Sequence, residues 1–194
     1  AVGQDVTRFR VGDRVFYAGS YKRSGSDAEY QLVDERIVGH APKNLNDAQA
    51  AAMPLTSLTA WEALFEKLHI SLNATAENRH HTILIINGSG GVGSMATQLA
   101  HLAGLQVLAT ASRPESQKWV QDHGADHVLN HRKPLPPQLK AAGFKNVDYI
   151  LNLSHLDEHW SEIATMIRPD GWVAAITENR HGINLQKLTK KRAT

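Results

Sequence analysis

From residue 81 onward, short apolar runs alternate with amphipathic stretches. The run Thr82-Ile83-Leu84-Ile85-Ile86 is continuous rather than alternating, which is the pattern of a strand covered on both faces. Further strands are predicted over residues 106–110, 127–129, 147–151 and 171–176. Between them, Val92, Met95, Ala96, Leu99 and Ala103 recur at helical spacing, as do Leu156, Trp160, Ile163 and Ile167. Five strands alternating with helices predict an α/β fold built on a doubly wound, mostly parallel sheet.

The first eighty residues read differently. Gly12-Asp13 signals a turn before Val15-Phe16-Tyr17-Ala18, and Ala28, Tyr30 and Leu32 alternate along a second predicted strand. Two or three such strands have little to bury against, so this part is expected to be a portion of a β domain. An Ala-rich helix is predicted from 47 to 53, ended by Pro54. Beyond it, Leu58, Trp61, Leu64, Phe65 and Leu68 make one apolar helix face, followed by a polar link. Residues 133–137, Lys-Pro-Leu-Pro-Pro, are expected to be a stiff loop, with a turn or two of helix from 138 to 142. The predicted divisions are 1–54, a partial β domain and linker; 55–79, a connecting helix; and 80–194, the α/β domain.

Composition narrows the function classes. Of 194 residues 42% are hydrophobic, as in an ordinary soluble chain, and none is cysteine. That excludes disulfides, thiolate zinc sites, iron–sulfur clusters and cysteine nucleophiles within this sequence. There is no apolar run long enough to span a bilayer and no signal-peptide core in the first twenty residues, so a cytoplasmic protein without a membrane partner is expected. Basic residues number 21 against 19 acidic, and they cluster only at Lys187, Lys190, Lys191 and Arg192, so nucleic acid is not an expected partner.

The main chemical signal is Gly88-Ser89-Gly90-Gly91-Val92-Gly93, directly between the apolar strand and a helix. Glycines at 88, 90 and 93 match G-x-G-x-x-G in the context that a dinucleotide site requires. The first permits a tight turn, the second lets the backbone approach a pyrophosphate, and the third allows helix and strand to pack closely. The helix start offers free N–H groups and a positive dipole end. A nucleoside-triphosphate loop is excluded because no Lys-Ser or Lys-Thr follows.

The second strand ends Thr110-Ala111-Ser112-Arg113, without the acid that would accept from the ribose of NAD. Ser112, Arg113 and Lys118 can meet a 2′-phosphate instead, which favours NADPH over NADH. Ser112 has a second reading, as the N-cap of a Ser-x-x-Glu box with Glu115, and Lys118 as a solvated helix residue. Eleven dispersed histidines show no metal-site spacing, and no zinc is expected in this chain. No G-x-S-x-G elbow occurs, and Tyr149 has no lysine four residues on. Ligands of open α/β sheets settle at the C-terminal strand ends, here Asn152-Leu153-Ser154 and Thr177-Glu178, with Ser154 also readable as an N-cap.

Six stretches together resemble the medium-chain dehydrogenase/reductase superfamily: residues 9–18 (FRVGDRVFYA), 28–36 (AEYQLVDER), 52–65 (AMPLTSLTAWEALF), 85–93 (IINGSGGVG), 109–115 (ATASRPE) and 124–131 (GADHVLNH). They look closest to its quinone-oxidoreductase-like branch, whose members are often called zinc-type alcohol dehydrogenase-like proteins. The resemblance implies a chaperonin-10-like β-barrel catalytic domain for the first division and a Rossmann domain for the last. Family members are longer, so the chain reads as an internal fragment, itself inactive, of a protein expected to form a homodimer. The resemblance further implies an NADPH-dependent enzyme that passes a hydride to a small quinone, activated alkene or carbonyl without zinc; the alternatives are a zinc-dependent alcohol dehydrogenase and a nucleotide-binding homologue without turnover. It places Thr59 near the nicotinamide; Gly90, Gly91 and Val92 at the pyrophosphate; Ser112 with Lys118 at the 2′-phosphate; and His131 at the adenosine end, where relatives commonly carry tyrosine. No catalytic proton donor is assigned.

Overall fold

The computed structural model describes residues 1–177 and 181–194. The chain divides into two compact units, residues 1–58 and 59–194.

In the first unit β1 (Val15–Phe16) pairs antiparallel with β2 (Gly39–His40). The strand predicted around 28–33 does not form: Tyr30 and Leu32 stand 92% and 83% exposed, without a ladder. Alternation marks a segment able to be half-buried, and a strand without a paired neighbour and a covered face gains nothing from that capacity. Helix α1 (Asp47–Ala52) opens on a capping box, in which Asn46 Oδ1 accepts from Gln49 N–H at 2.9 Å and Gln49 Oε1 accepts from Asn46 N–H at 3.0 Å. Pro54 does more than end this helix. It opens α2 (Pro54–Trp61), at a first-turn position where a missing N–H costs nothing.

Residues Glu62–Lys67 continue as a π-turn, with Leu68 N–H donating to Ala63 O at 3.0 Å. The wider turn rotates the apolar stripe. Ala60, Ala63, Leu64 and Leu68 are buried, while Leu58 and Trp61, predicted on the same face, are exposed. Short helix α3 (Thr75–Asn78) follows, its buried Asn78 donating to the carbonyls of Ser71 and Ala103 at 2.7 Å each.

Five parallel strands then build the sheet: β3 (Thr82–Ile86), β4 (Gln106–Thr110), β5 (His127–Leu129), β6 (Val147–Asn152) and β7 (Ile167–Ala175), in the order β5-β4-β3-β6-β7. Helices α4 (Gly91–Leu102), α5 (Pro114–Asp122), α6 (Leu135–Ala141), α7 (Leu156–Met166) and α8 (Gln186–Thr189) alternate with them or follow. Central β3 is buried throughout. Ile83 and Ile85 join a core with Leu64, Ala96, Ala100 and Val120, while Leu84 and Ile86 join a second with Leu135, Leu139, Trp160 and Ile163. Both faces are covered, as the continuous apolar run requires, and each fully buried Ile or Leu contributes about 1.5–3 kcal/mol.

Two local expectations are corrected. Pro136 and Pro137 lie in the first turn of α6 rather than in a loop, because a helix start needs no proline N–H. Strand β7 begins at Ile167, four residues before the predicted start, and residues between Ile167 and Trp172 form an irregularity opposite Val147 and Tyr149. Asp170 sits there at φ 58°, and a Cβ on Gly171 would stand 2.9 Å from Asp148 O.

The N-terminal strand ends are closed by paired polar groups. Asp148 Oδ2 accepts from Thr82 N–H at 2.7 Å and from Thr82 Oγ1 at 3.0 Å. Its Oδ1 faces His81 Nδ1 at 3.2 Å and Arg168 Nε at 2.6 Å. Burial pushes the Asp148 carboxyl up, but the Thr82 bonds, His81 and Arg168 together hold it below the ordinary value. Asp126 likewise accepts from Val107 N–H at 2.7 Å. At the far end of the chain, Lys191 Nζ donates to Thr165 O and Ile167 O at 2.7 Å each, closing the end of α7.

Candidate functional site

Between β3 and β6 the chain order reverses direction across the sheet, and the crevice of an open α/β sheet lies at the C-terminal ends of such strands. There β3 leaves its last residue, Ile86, and the chain turns at Asn87 with φ 68°. The tight-turn role expected of Gly88 thus falls on Asn87, one of the few side chains that enters the left-handed region readily. Gly88 is required for a different reason: a Cβ on it would lie 2.7 Å from Ala109 Cβ in β4. A Cβ on Gly93 would lie 2.6 Å from Gly88 O, so the third glycine lets α4 pack on the loop. Gly90 differs from both. A Cβ there meets nothing nearer than Asn87 Nδ2 at 3.3 Å.

Gly90 is also the N-cap of α4 and supplies no side-chain hydrogen bond. The N–H groups of Gly91, Val92 and Gly93 therefore have neither an intrahelical acceptor nor a capping side chain, and the helix dipole adds positive potential at the same place. Gly91 is exposed, while the Val92 side chain packs against the core and leaves only its backbone for a ligand. A helix start of this kind is electrostatically suited to an anion.

Two residues that sequence reasoning did not single out hold this loop. Thr110, the buried last residue of β4, accepts from Asn87 N–H at Oγ1 (2.8 Å) and from Gly88 N–H at its carbonyl (3.0 Å). Available signals were an asparagine before glycine at a strand exit and a threonine closing an otherwise apolar strand. The structure also brings His131 to this network, with Nδ1 3.2 Å from Thr110 Oγ1. Burial first, then His159, Arg132 and His155, push the His131 pKa down.

Of the residues expected at a 2′-phosphate, Ser112 is half-buried beyond β4 and Arg113 is exposed beside it. Ser112 does not cap α5. Arg113 is the N-cap, without a side-chain hydrogen bond, and Pro114 takes the first helical position. Among the described residues the Arg113 guanidinium has no ion-pair partner. Lys118 does: its Nζ lies 2.8 Å from both carboxylate oxygens of Asp122, one turn along α5.

At the end of β6, Asn152 is fully buried beside Ile86 and Ala175, and among the described residues neither its Oδ1 nor its Nδ2 has a hydrogen-bond partner. Thr177 Oγ1, beyond β7, is likewise buried and unpartnered. Glu178 lies outside the described residues. Ser154 does not cap α7. That position belongs to His155, at φ 48° and without a side-chain cap bond. Thr59 stands half-buried in α2, the first residue of the second unit. No group of three or more His, Asp or Glu side chains among the described residues is arranged to hold a metal, and the chain has no cysteine.

Comparison with known proteins identifies the family and supports the fold. The zinc-binding dehydrogenase family model matches residues 91–194, over half of the chain. A zinc-type alcohol dehydrogenase-like protein of Staphylococcus epidermidis is 44% identical over 193 residues. The match covers 100% of this chain but 57% of that protein, so the chain spans little more than half the length of such relatives. Among solved structures, a protein of Rhizobium etli CFN 42 provisionally named a zinc-dependent alcohol dehydrogenase shares 47% identity, with TM-score 0.90 over 100% of this chain and 56% of its own. Escherichia coli quinone oxidoreductase, solved in complex with NADPH, shares 25% identity with TM-score 0.79, over 100% of this chain and 59% of its own. With the glycine loop, the parallel sheet and these matches in agreement, the chain belongs to the zinc-binding dehydrogenases of the medium-chain dehydrogenase/reductase superfamily.

Proposed function

We propose that the protein is an NADPH-dependent oxidoreductase that passes a hydride to a small quinone, activated alkene or carbonyl compound without zinc. One observation carries this reading above the others: at the uncapped start of α4, a Cβ on Gly90 would have only Asn87 as its nearest neighbour, at 3.3 Å and beyond, and no closer atom of another strand or helix. A pyrophosphate laid there would meet the N–H groups of Gly91, Val92 and Gly93. Gly88 and Gly93 keep the loop tight against β4 and α4. The guanidinium of Arg113, without an ion-pair partner among the described residues and with Ser112 beside it, would meet a 2′-phosphate, and the strand end Thr110-Ala111-Ser112-Arg113 carries no acid to repel one. The Escherichia coli neighbour was solved with NADPH, which supports the same choice; in this reading NADH is the weaker cofactor. His131 would lie toward the adenosine, and Asn152, Thr177 and Thr59 toward the nicotinamide.

When bound, the dinucleotide supplies the hydride, and the protein's part is to bind it, align it and exclude water. This chain brings no cysteine thiolate to such a reaction. The name of the Rhizobium relative supports a second reading, a zinc-dependent alcohol dehydrogenase.

Titration of NADPH tests the first reading. Gly90→Val should weaken binding at least about tenfold while thermal unfolding shifts little, since within the fold the added Cβ presses only on the Asn87 amide at 3.3 Å, which a small side-chain shift relieves. An unchanged titration would overturn the assignment. Activity retained after dialysis against a chelator supports the zinc-free reaction; activity lost and restored by zinc alone would establish the second reading instead.

A further inference from the structure

We propose that Thr110 and His131 act together as positioning residues for the glycine loop, neutral His131 accepting the Thr110 hydroxyl proton so that Thr110 Oγ1 keeps hold of the Asn87 N–H. The proposal rests on the dinucleotide reading above and deepens it, because the loop so held is the one that would receive the phosphates.

Donors and acceptors around Thr110 settle the protonation pattern. A hydroxyl has one hydrogen to donate and two lone pairs. One lone pair takes the Asn87 N–H at 2.8 Å. Thr110 is fully buried, and among the described residues the remaining polar atom within reach of Oγ1 is His131 Nδ1 at 3.2 Å. The hydroxyl hydrogen therefore goes to Nδ1, and the imidazole proton sits on Nε2. Protonation of the ring would place an N–H at Nδ1. Nδ1 would then donate to the second lone pair of Oγ1, and the Thr110 hydrogen would lose its acceptor in a buried place, a cost that opening the loop to water relieves.

The surroundings favour the neutral ring. Arg132 follows it in the chain, His155 stands at the N-cap of α7 and His159 lies one turn further on, its Nδ1 3.3 Å from Glu162 Oε2. Burial, then His159, Arg132 and His155, all act against a charge on His131. The sign follows directly. Above the lowered pKa of His131 the loop is fully held, and as pH falls through that value the Asn87 turn loosens and affinity for phosphates drops.

The probe is ADP-ribose, which carries the pyrophosphate without a 2′-phosphate, titrated calorimetrically into the intact protein between pH 5 and pH 8. Affinity should be level at the alkaline end and fall by about tenfold toward the acid end. His131→Asn offers an acceptor oxygen that does not titrate, so whatever its affinity at the alkaline end, that affinity should not change as pH falls. Thr110→Val should bind about tenfold more weakly at every pH, and Thr110→Ser should restore both the affinity and the profile. His155→Asn should leave the pH dependence in place. Binding with a level profile in the parent protein, or a persisting acid fall in His131→Asn, would overturn the relay and leave the dinucleotide reading standing. Absence of ADP-ribose binding at every pH would overturn both.

Discussion

At the N-terminal ends of β3 and β6, Asp148 gathers Thr82, His81 and Arg168 around one carboxylate. At the C-terminal ends of the same two strands, the first turn of α4 has no side-chain cap and both amide atoms of Asn152 are unpartnered among the described residues. The two ends share strands, register and core, yet one is closed and the other open. A buried polar group without a partner costs about 1–3 kcal/mol, so an open end is tolerated only where something else can complete it. The closed end stabilises the sheet, and the open end is where a ligand's oxygens would find donors.

The contrast is sharpest in the loop itself. Gly93→Val should produce the largest effect, a loss of about 3 kcal/mol or more in urea unfolding, because its Cβ runs into backbone at Gly88 that cannot yield cheaply. Its neighbour Gly90 should tolerate the same side chain in the unliganded protein. Equal destabilisation of the two variants would erase the distinction between a packing glycine and a ligand-facing one.

Next in size comes the closed end. Asp148→Ala should cost about 1–3 kcal/mol by leaving the Thr82 N–H unpaired, with cofactor affinity unchanged. The folded carboxyl is held below its ordinary value. Its contribution is therefore complete above the unfolded value of about 3.9 and disappears as pH falls through the lower folded value. Acid unfolding curves of parent and variant should converge there. A change in NADPH affinity in Asp148→Ala would break the separation of the two ends.

The smallest effect belongs to the rim of the open end. Arg113→Ala should weaken NADPH about tenfold and NADH hardly at all, and the difference should shrink with added salt. Lys118→Ala should shift neither measurably, because its ammonium is engaged with Asp122 and an exposed pair of this kind contributes about 0.3–0.5 kcal/mol. Titrations of both cofactors at two salt concentrations check the pair of variants together.

The sheet was legible because its strands are short apolar runs whose burial on two faces leaves no ambiguity of pattern, as at residues 82–86. The glycine loop was legible because its three glycines sit at fixed offsets between a strand and a helix. Other features depend on distant partners. Tyr30 and Leu32 alternate like a strand, but pairing needs a neighbour that local sequence cannot report. Leu58 and Trp61 obey the 3.6-residue period, yet the π-turn at Glu62–Lys67 rotates the buried face away from them. Ser112 and Ser154 fit cap motifs, but the helices start two residues later, at Pro114 and Leu156. Thr110 and His131 meet only because β4 and β5 are adjacent, a fact of topology rather than of spacing.

The turn at Asn87 also governs how this loop ages. An asparagine followed by glycine is the dipeptide most open to succinimide closure, in which the following amide nitrogen attacks the side-chain carbonyl and ammonia leaves; water then opens the ring to aspartate or isoaspartate. In the folded loop that nitrogen, Gly88 N–H, is engaged by Thr110 O at 3.0 Å, and the Asn87 N–H is engaged by Thr110 Oγ1. Ageing must therefore pass through an opened loop, and its product would place a permanent negative charge beside the uncapped start of α4. The hydrogen bonds that shape the loop thus also set its chemical lifetime.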